Sequence, residues 1–132
     1  MRPPASVLIV SPDATTLQSL TRALVRSGLP VVSALGWAEG DCRLGRLPVS
    51  VVVADMEGLS ADELAELRRL RSHFPHVGVI ALVSLVTPEV RAAVDQGLVL
   101  AVFEKPVALG PLEATLRAAL PRTAKRERRE RA

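Results

Sequence analysis

A doubly wound α/β fold, with a five-stranded parallel sheet covered by helices on both faces, is what this sequence predicts. Three observations predict it. Five short apolar runs, rich in Val, Ile and Leu, have the length of strands and are bounded by turn residues. They alternate with stretches whose leucines recur at helical spacing, the strand–helix–strand order that builds a parallel sheet. The middle run, Val49-Ser50-Val51-Val52-Val53-Ala54-Asp55, is apolar on both sides, as a strand buried on both faces must be.

Val7 to Val10 is the first strand. Asp13 or Thr15 can cap the helix that follows, and Thr15 with Gln18 has capping-box spacing. Leu17, Leu20, Leu24 and Val25 form its apolar stripe. Gly28 ends it, and Pro30 forbids its return. Val31 to Ala34 reads as the second strand. Ala38 to Leu47 reads as a short helix opposed by three glycines, counting Gly36 just before it. After the third strand, Ser60-Ala61-Asp62-Glu63 is a capping box, and Leu64, Leu67, Leu70 and Phe74 share one helical face that Pro75 stops. Val77 to Val83 is the fourth strand. Thr87-Pro88-Glu89 reads as N-cap, first helical residue and acidic first turn of a helix ending at Gly97. Leu98 to Phe103 is the fifth strand, and a last helix runs from about Pro111 to Leu120.

A length of 132 residues favours one domain, here 1–121, followed by a charged stretch, 122–132, that reads as a tail or linker. The net charge of +3 belongs to that stretch. Of 17 Lys/Arg and 14 Asp/Glu, six and two lie from Arg122 onward, so the body holds 11 and 12. No run approaches the roughly 18 consecutive apolar residues of a membrane span, and Met1-Arg2-Pro3-Pro4 lacks the pattern of a signal peptide. The single cysteine, Cys42, excludes an internal disulfide and a cysteine metal cluster, and suits a reducing cytoplasm. Aromatic residues are limited to Trp37, Phe74 and Phe103, too few for a platform that stacks single-stranded nucleic acid. No nucleophile–base pair, metal trio or glycine-rich phosphate loop is visible, so an enzyme is not expected. His73 and His76 read as surface residues at a helix end.

In folds of this kind the carboxyl ends of the strands converge on one crevice. Asp55 ends the third strand there, and Lys105, followed by Pro106, closes the fifth. This ordered set resembles the receiver domain of two-component response regulators. The resemblance covers about Ser6 to Leu120 and needs no gap between Asp55 and Pro106. It extends to Gly97 before strand five and to the Leu-Arg-Arg-Leu-Arg run on helix three. It implies a flavodoxin-like receiver topology with strand order 2-1-3-4-5. It also implies Asp55 as the equivalent of the phosphoacceptor and Lys105 as the family's lysine.

Other family positions are occupied by the wrong chemistry. The acidic pair that would hold magnesium falls on Ser11 and Pro12, with Asp13 one residue late. The hydroxyl at the end of strand four falls on Val83, with Ser84 one step late. The aromatic on strand five falls on Val102, with Phe103 next to it. Glu57 is a further oxygen source near Asp55. Magnesium usually binds through one or two carboxylates, and Ser11 and Pro12 supply neither, so no cofactor is expected.

The resulting expectation is an atypical, pseudo-receiver-like signalling module. It binds a protein partner, such as a histidine kinase or a downstream signalling protein, without magnesium-dependent aspartyl phosphorylation. Helix four, strand five and helix five, with Val102, Phe103 and Pro106, are the face the family uses for dimers and output. Without a metal, a Lys105–Asp55 ion pair would hold the crevice in one state. Two alternatives stand beside this: a phosphorylatable receiver with an unusual metal set using Asp13, Asp55 and Glu57, and a nucleic-acid-associated regulator working through the basic tail; no helix-turn-helix or zinc motif supports the latter, so neither nucleic acid nor a membrane is an expected partner.

Overall fold

The computed structural model describes residues 6–121, so the expectations for Met1–Pro4 and for the basic stretch after Pro121 lie outside the described residues. The elements run β1 (Ser6–Ser11), α1 (Ala14–Arg26), β2 (Val31–Leu35), α2 (Gly36–Arg46), β3 (Val49–Asp55), α3 (Ala61–His73), β4 (Gly78–Val83), α4 (Pro88–Asp95), β5 (Ala101–Glu104) and α5 (Leu109–Ala119). All strand pairs are parallel, in the order β2-β1-β3-β4-β5. The expected fold class and strand order are those observed.

The two faces of the sheet carry separate cores. Alternate residues of the inner strands, Leu8, Val10, Val52, Ala54, Ala81 and Val83, pack with Leu44 of α2, Leu67 and Leu70 of α3, and Val90 and Ala93 of α4. The residues between them, Val7, Ile9, Val51, Val53, Ile80 and Leu82, pack with Leu24 of α1 and with Leu112 and Leu116 of α5. Period-two alternation therefore fills both cores from the same strands. Each fully buried aliphatic side chain contributes about 1.5–3 kcal/mol relative to exposure.

Caps fix where the helices begin and end. Asp13, not Thr15, caps α1; its carboxylate accepts from the Thr16 amide at 3.2 Å. At the other end Gly28 takes a φ of +83°. The Gly28 amide donates to the Val25 carbonyl and the Leu29 amide to that of Leu24. This satisfies the last carbonyls and seats Leu29 on Leu24. The Ser60–Glu63 capping box of α3 is present in both directions.

Three expectations shift. The glycine-rich stretch is a full helix, Gly36–Arg46, because Gly40 and Leu44 are buried against β1 and packing outweighs propensity. A side chain on Gly40 would meet Val10 Cγ2 at 3.2 Å, so the glycine is what allows this close approach. β5 starts at Ala101, not Leu98. The Leu98 and Val99 amides still serve the end of α4 by donating to Ala93. α5 starts at Leu109, and Pro111 lies in its first turn, where no amide partner is needed.

Candidate functional site

The carboxyl ends of β1, β3, β4 and β5 meet at one edge and bring Ser11, Asp55, Val83 and Lys105 together. The Lys105 ammonium donates to Asp55 Oδ1 at 2.5 Å. The Ser11 hydroxyl donates to Asp55 Oδ2 at 2.8 Å and accepts from the Asp13 amide at 3.1 Å. Both oxygens of the carboxylate are thus held by this chain's own donors. The Asp55 side chain is 9% exposed and that of Lys105 27%, while Ser11 is fully buried. The Lys105 amide donates to the Val83 carbonyl at 2.7 Å, and the Lys105–Pro106 peptide is cis.

Asp13, expected as a crevice residue, faces elsewhere. Its carboxylate accepts from the hydroxyl and amide of Thr16, which hold its pKa below the usual aspartate value. Glu57 is also engaged by another partner. Its carboxylate accepts from the Ser84 hydroxyl at 2.9 Å. Its carbonyl accepts from the amides of Ser84, at 2.7 Å, and Leu85, at 3.3 Å. Pro12 is exposed and offers no side-chain donor. Among the described residues no three His, Cys, Asp or Glu side chains come together as a metal-holding group.

Val83 is fully buried in the α2–α3–α4 core. Ser84 lies one residue past β4 and is exposed. Val102 and Phe103 pack into opposite cores, one on each face of β5. Both are half-buried, so they contribute to packing as much as to surface, and of the expected interaction residues only Pro106 is exposed.

One feature of the crevice wall was not legible. Glu63, recognisable as part of a capping box, reaches past Ser60. Its carboxylate accepts from the Glu57 amide at 2.8 Å and the Gly58 amide at 3.4 Å as well as from Ser60 at 3.1 Å. Burial raises its pKa, but the amides of Glu57, Ser60, Gly58 and Leu59 outweigh that and hold it below the ordinary glutamate value. Leu59 sits in this loop at a φ of +59°, a region unusual for a branched apolar residue, with its side chain buried. The Thr87 hydroxyl, which caps α4, also donates to the Gly58 carbonyl at 3.3 Å. The β3–α3 and β4–α4 loops are therefore tied to each other and to α3.

No family model and no curated protein matches the chain. Solved structures do. A response regulator from Thermotoga maritima is 22% identical with a TM-score of 0.75, over 89% of this chain and 98% of that one. A response regulator receiver protein from Pseudomonas putida is 22% identical with a TM-score of 0.76, over 89% and 98%. A response regulator receiver domain protein from Clostridium thermocellum is 25% identical with a TM-score of 0.73, over 91% and 97%.

The chain has the receiver fold. It spans nearly the whole of each of these domains, so the likeness is to the complete fold and not to a fragment of it. In receiver terms, Asp55 and Lys105 stand at the carboxyl edge of the sheet, with a serine hydroxyl and a buried valine beside them. Among the described residues no helix is long and apolar enough to cross a membrane.

Proposed function

We propose that this chain is a receiver-fold signalling module that acts by binding a protein partner, and that its crevice is held in one state by its own side chains rather than by phosphorylation of Asp55. The observation that carries this reading is the double engagement of Asp55 by Lys105 and Ser11.

Phosphoryl transfer to a carboxylate depends on positioning and on neutralising charge that develops on oxygen, and a magnesium ion supplies most of that neutralisation. The donors at this edge do not suit such an ion. Asp55 is paired with an ammonium, Ser11 offers a neutral hydroxyl, and the carboxylates of Asp13 and Glu57 serve Thr16 and Ser84. A divalent cation would enter a pocket whose fixed charges already cancel. Val83 has no hydroxyl to give a phosphoryl oxygen, and Ser84 gives its own to Glu57. The partner is a histidine kinase or a downstream signalling protein, and α4, β5 and α5 form the face for output or for a second copy.

The test is incubation with acetyl phosphate and magnesium, followed by intact-mass and peptide mapping. The expected result is no adduct. Base-labile phosphate on Asp55, absent from Asp55→Ala, would overturn the reading. A pull-down from the native cell should return the partner with wild type and lose or weaken it with Lys105→Ala and Asp55→Ala, each of which breaks the ion pair that holds the crevice; unchanged partner binding in both variants would overturn the reading.

A further inference from the structure

The charges of the body are sorted along the strand direction. The carboxyl edge holds the crevice and the acidic first turns of α2, α3 and α4. The opposite edge, where the strands begin, holds the exposed Arg26 of α1, Arg46 of α2 and Arg71 of α3, with Arg22 and Arg68 about one turn back along α1 and α3; its acids are the exposed Asp95 at the end of α4 and Glu113, which accepts from the Ser27 hydroxyl. None of these five arginines forms an ion pair among the described residues. A single cation near each helix C-terminus would complement the helix dipole. Two helices carry more than that, and at spacings that repel. Arg22 and Arg26 are four apart on α1, and Arg68 and Arg71 three apart on α3.

Hydrogen bonds draw this edge together. The Val7 amide donates to the Pro30 carbonyl at 2.8 Å and the Ser6 amide to that of Pro48 at 3.0 Å. The loops that follow α1 and α2 thus flank the first two residues of β1, between the neighbouring strands. Arg117 donates to the Ser27 carbonyl at 2.5 Å, which sets the end of α5 against the end of α1. The chain leaves the body at Pro121, on this same edge, and its sequence continues with six Lys/Arg and two Glu.

We propose that this edge binds the phosphate backbone of duplex nucleic acid without reading its sequence. The cations are almost all arginine, whose planar fork pairs with phosphate through two donors. The sequence contains no asparagine and no tyrosine, and its few aromatic residues are not at this edge in numbers that could stack unpaired bases. The exposed aliphatic residues here, Val25, Leu47, Val94 and Leu100, come from four separate segments and not from one amphipathic helix of the kind that membrane-surface binders insert. The proposal is independent of the crevice and of the phosphorylation state of Asp55.

The test is fluorescence anisotropy of a short labelled DNA duplex titrated with the full chain over a range of salt. A parallel arm uses vesicles of phosphatidylglycerol and phosphatidylcholine. The expected result is duplex binding whose logarithm falls linearly with the logarithm of salt, equally for unrelated sequences. In Arg26→Ala/Arg46→Ala/Arg71→Ala, whose exposed positions leave the fold intact as read by far-ultraviolet circular dichroism, that slope should shrink by about one per arginine removed. Absence of duplex binding at low salt would overturn the proposal. So would an unchanged slope in the triple variant, or binding to the anionic vesicles with none to the duplex.

Discussion

Replacing Lys105 by methionine removes the ammonium while keeping most of the side chain's bulk, and its consequence can be worked from the crevice geometry. Asp55 would keep only the Ser11 hydroxyl, with its side chain 9% exposed. An exposed ion pair contributes under about 1 kcal/mol. Removing one partner of a fully buried pair costs about 3–5 kcal/mol. The Lys105 side chain is 27% exposed, so water reaches this pair from one side, and the expected cost lies between, at about 2–3 kcal/mol. For a domain of this size that corresponds to a fall of roughly 8–15 °C in melting temperature. Asp55→Asn should cost less, because the freed ammonium can turn to solvent. The double variant should cost less than the two singles together, leaving a coupling of about 1–2 kcal/mol. Urea unfolding of all four proteins, followed by far-ultraviolet circular dichroism and by Trp37 fluorescence, measures the cycle. A coupling below about 0.5 kcal/mol would refute the argument that this pair holds the crevice.

Ser11→Asp places a second carboxylate against Asp55 at a fully buried position; the variant should melt lower than wild type in the absence of magnesium and regain stability when magnesium is added, while wild type shows no such response in calorimetric titration. Ser84→Ala removes the hydroxyl bond to Glu57 and should speed exchange of the Ser84 and Leu85 amides by roughly five- to tenfold, read by hydrogen exchange, with α1 and α5 unaffected. Ser60→Ala should cost about 1 kcal/mol through loss of the α3 cap. Glu63→Gln should be pH-dependent: the folded pKa lies below the unfolded one, so the carboxylate's stabilisation is present above the unfolded value and is lost as pH falls through the folded value. Melting curves of wild type and Glu63→Gln should therefore differ at neutral pH and converge in acid.

The sequence by itself determined the fold, because its signals are local. Apolar runs of strand length, Gly28 and Gly97 after helix ends, and the Ser60–Glu63 cap each act within a few residues of the backbone they shape. It also placed Asp55 and Lys105 at one edge, since parallel strands all end on the same side of the sheet. It indicated the second helix but placed its start at Ala38, because three glycines weaken the local signal and burial of Gly40 and Leu44 against β1 outweighs propensity. Beyond the Lys105–Asp55 pair and the α3 capping box, only the tertiary structure decided how the polar groups pair. Ser84 finds Glu57 across 27 positions and Ser11 finds Asp55 across 44. Asp13, two residues from Ser11, turns to Thr16. Such pairings depend on ångström-scale geometry between separate strands and loops, and no periodicity along the chain encodes them.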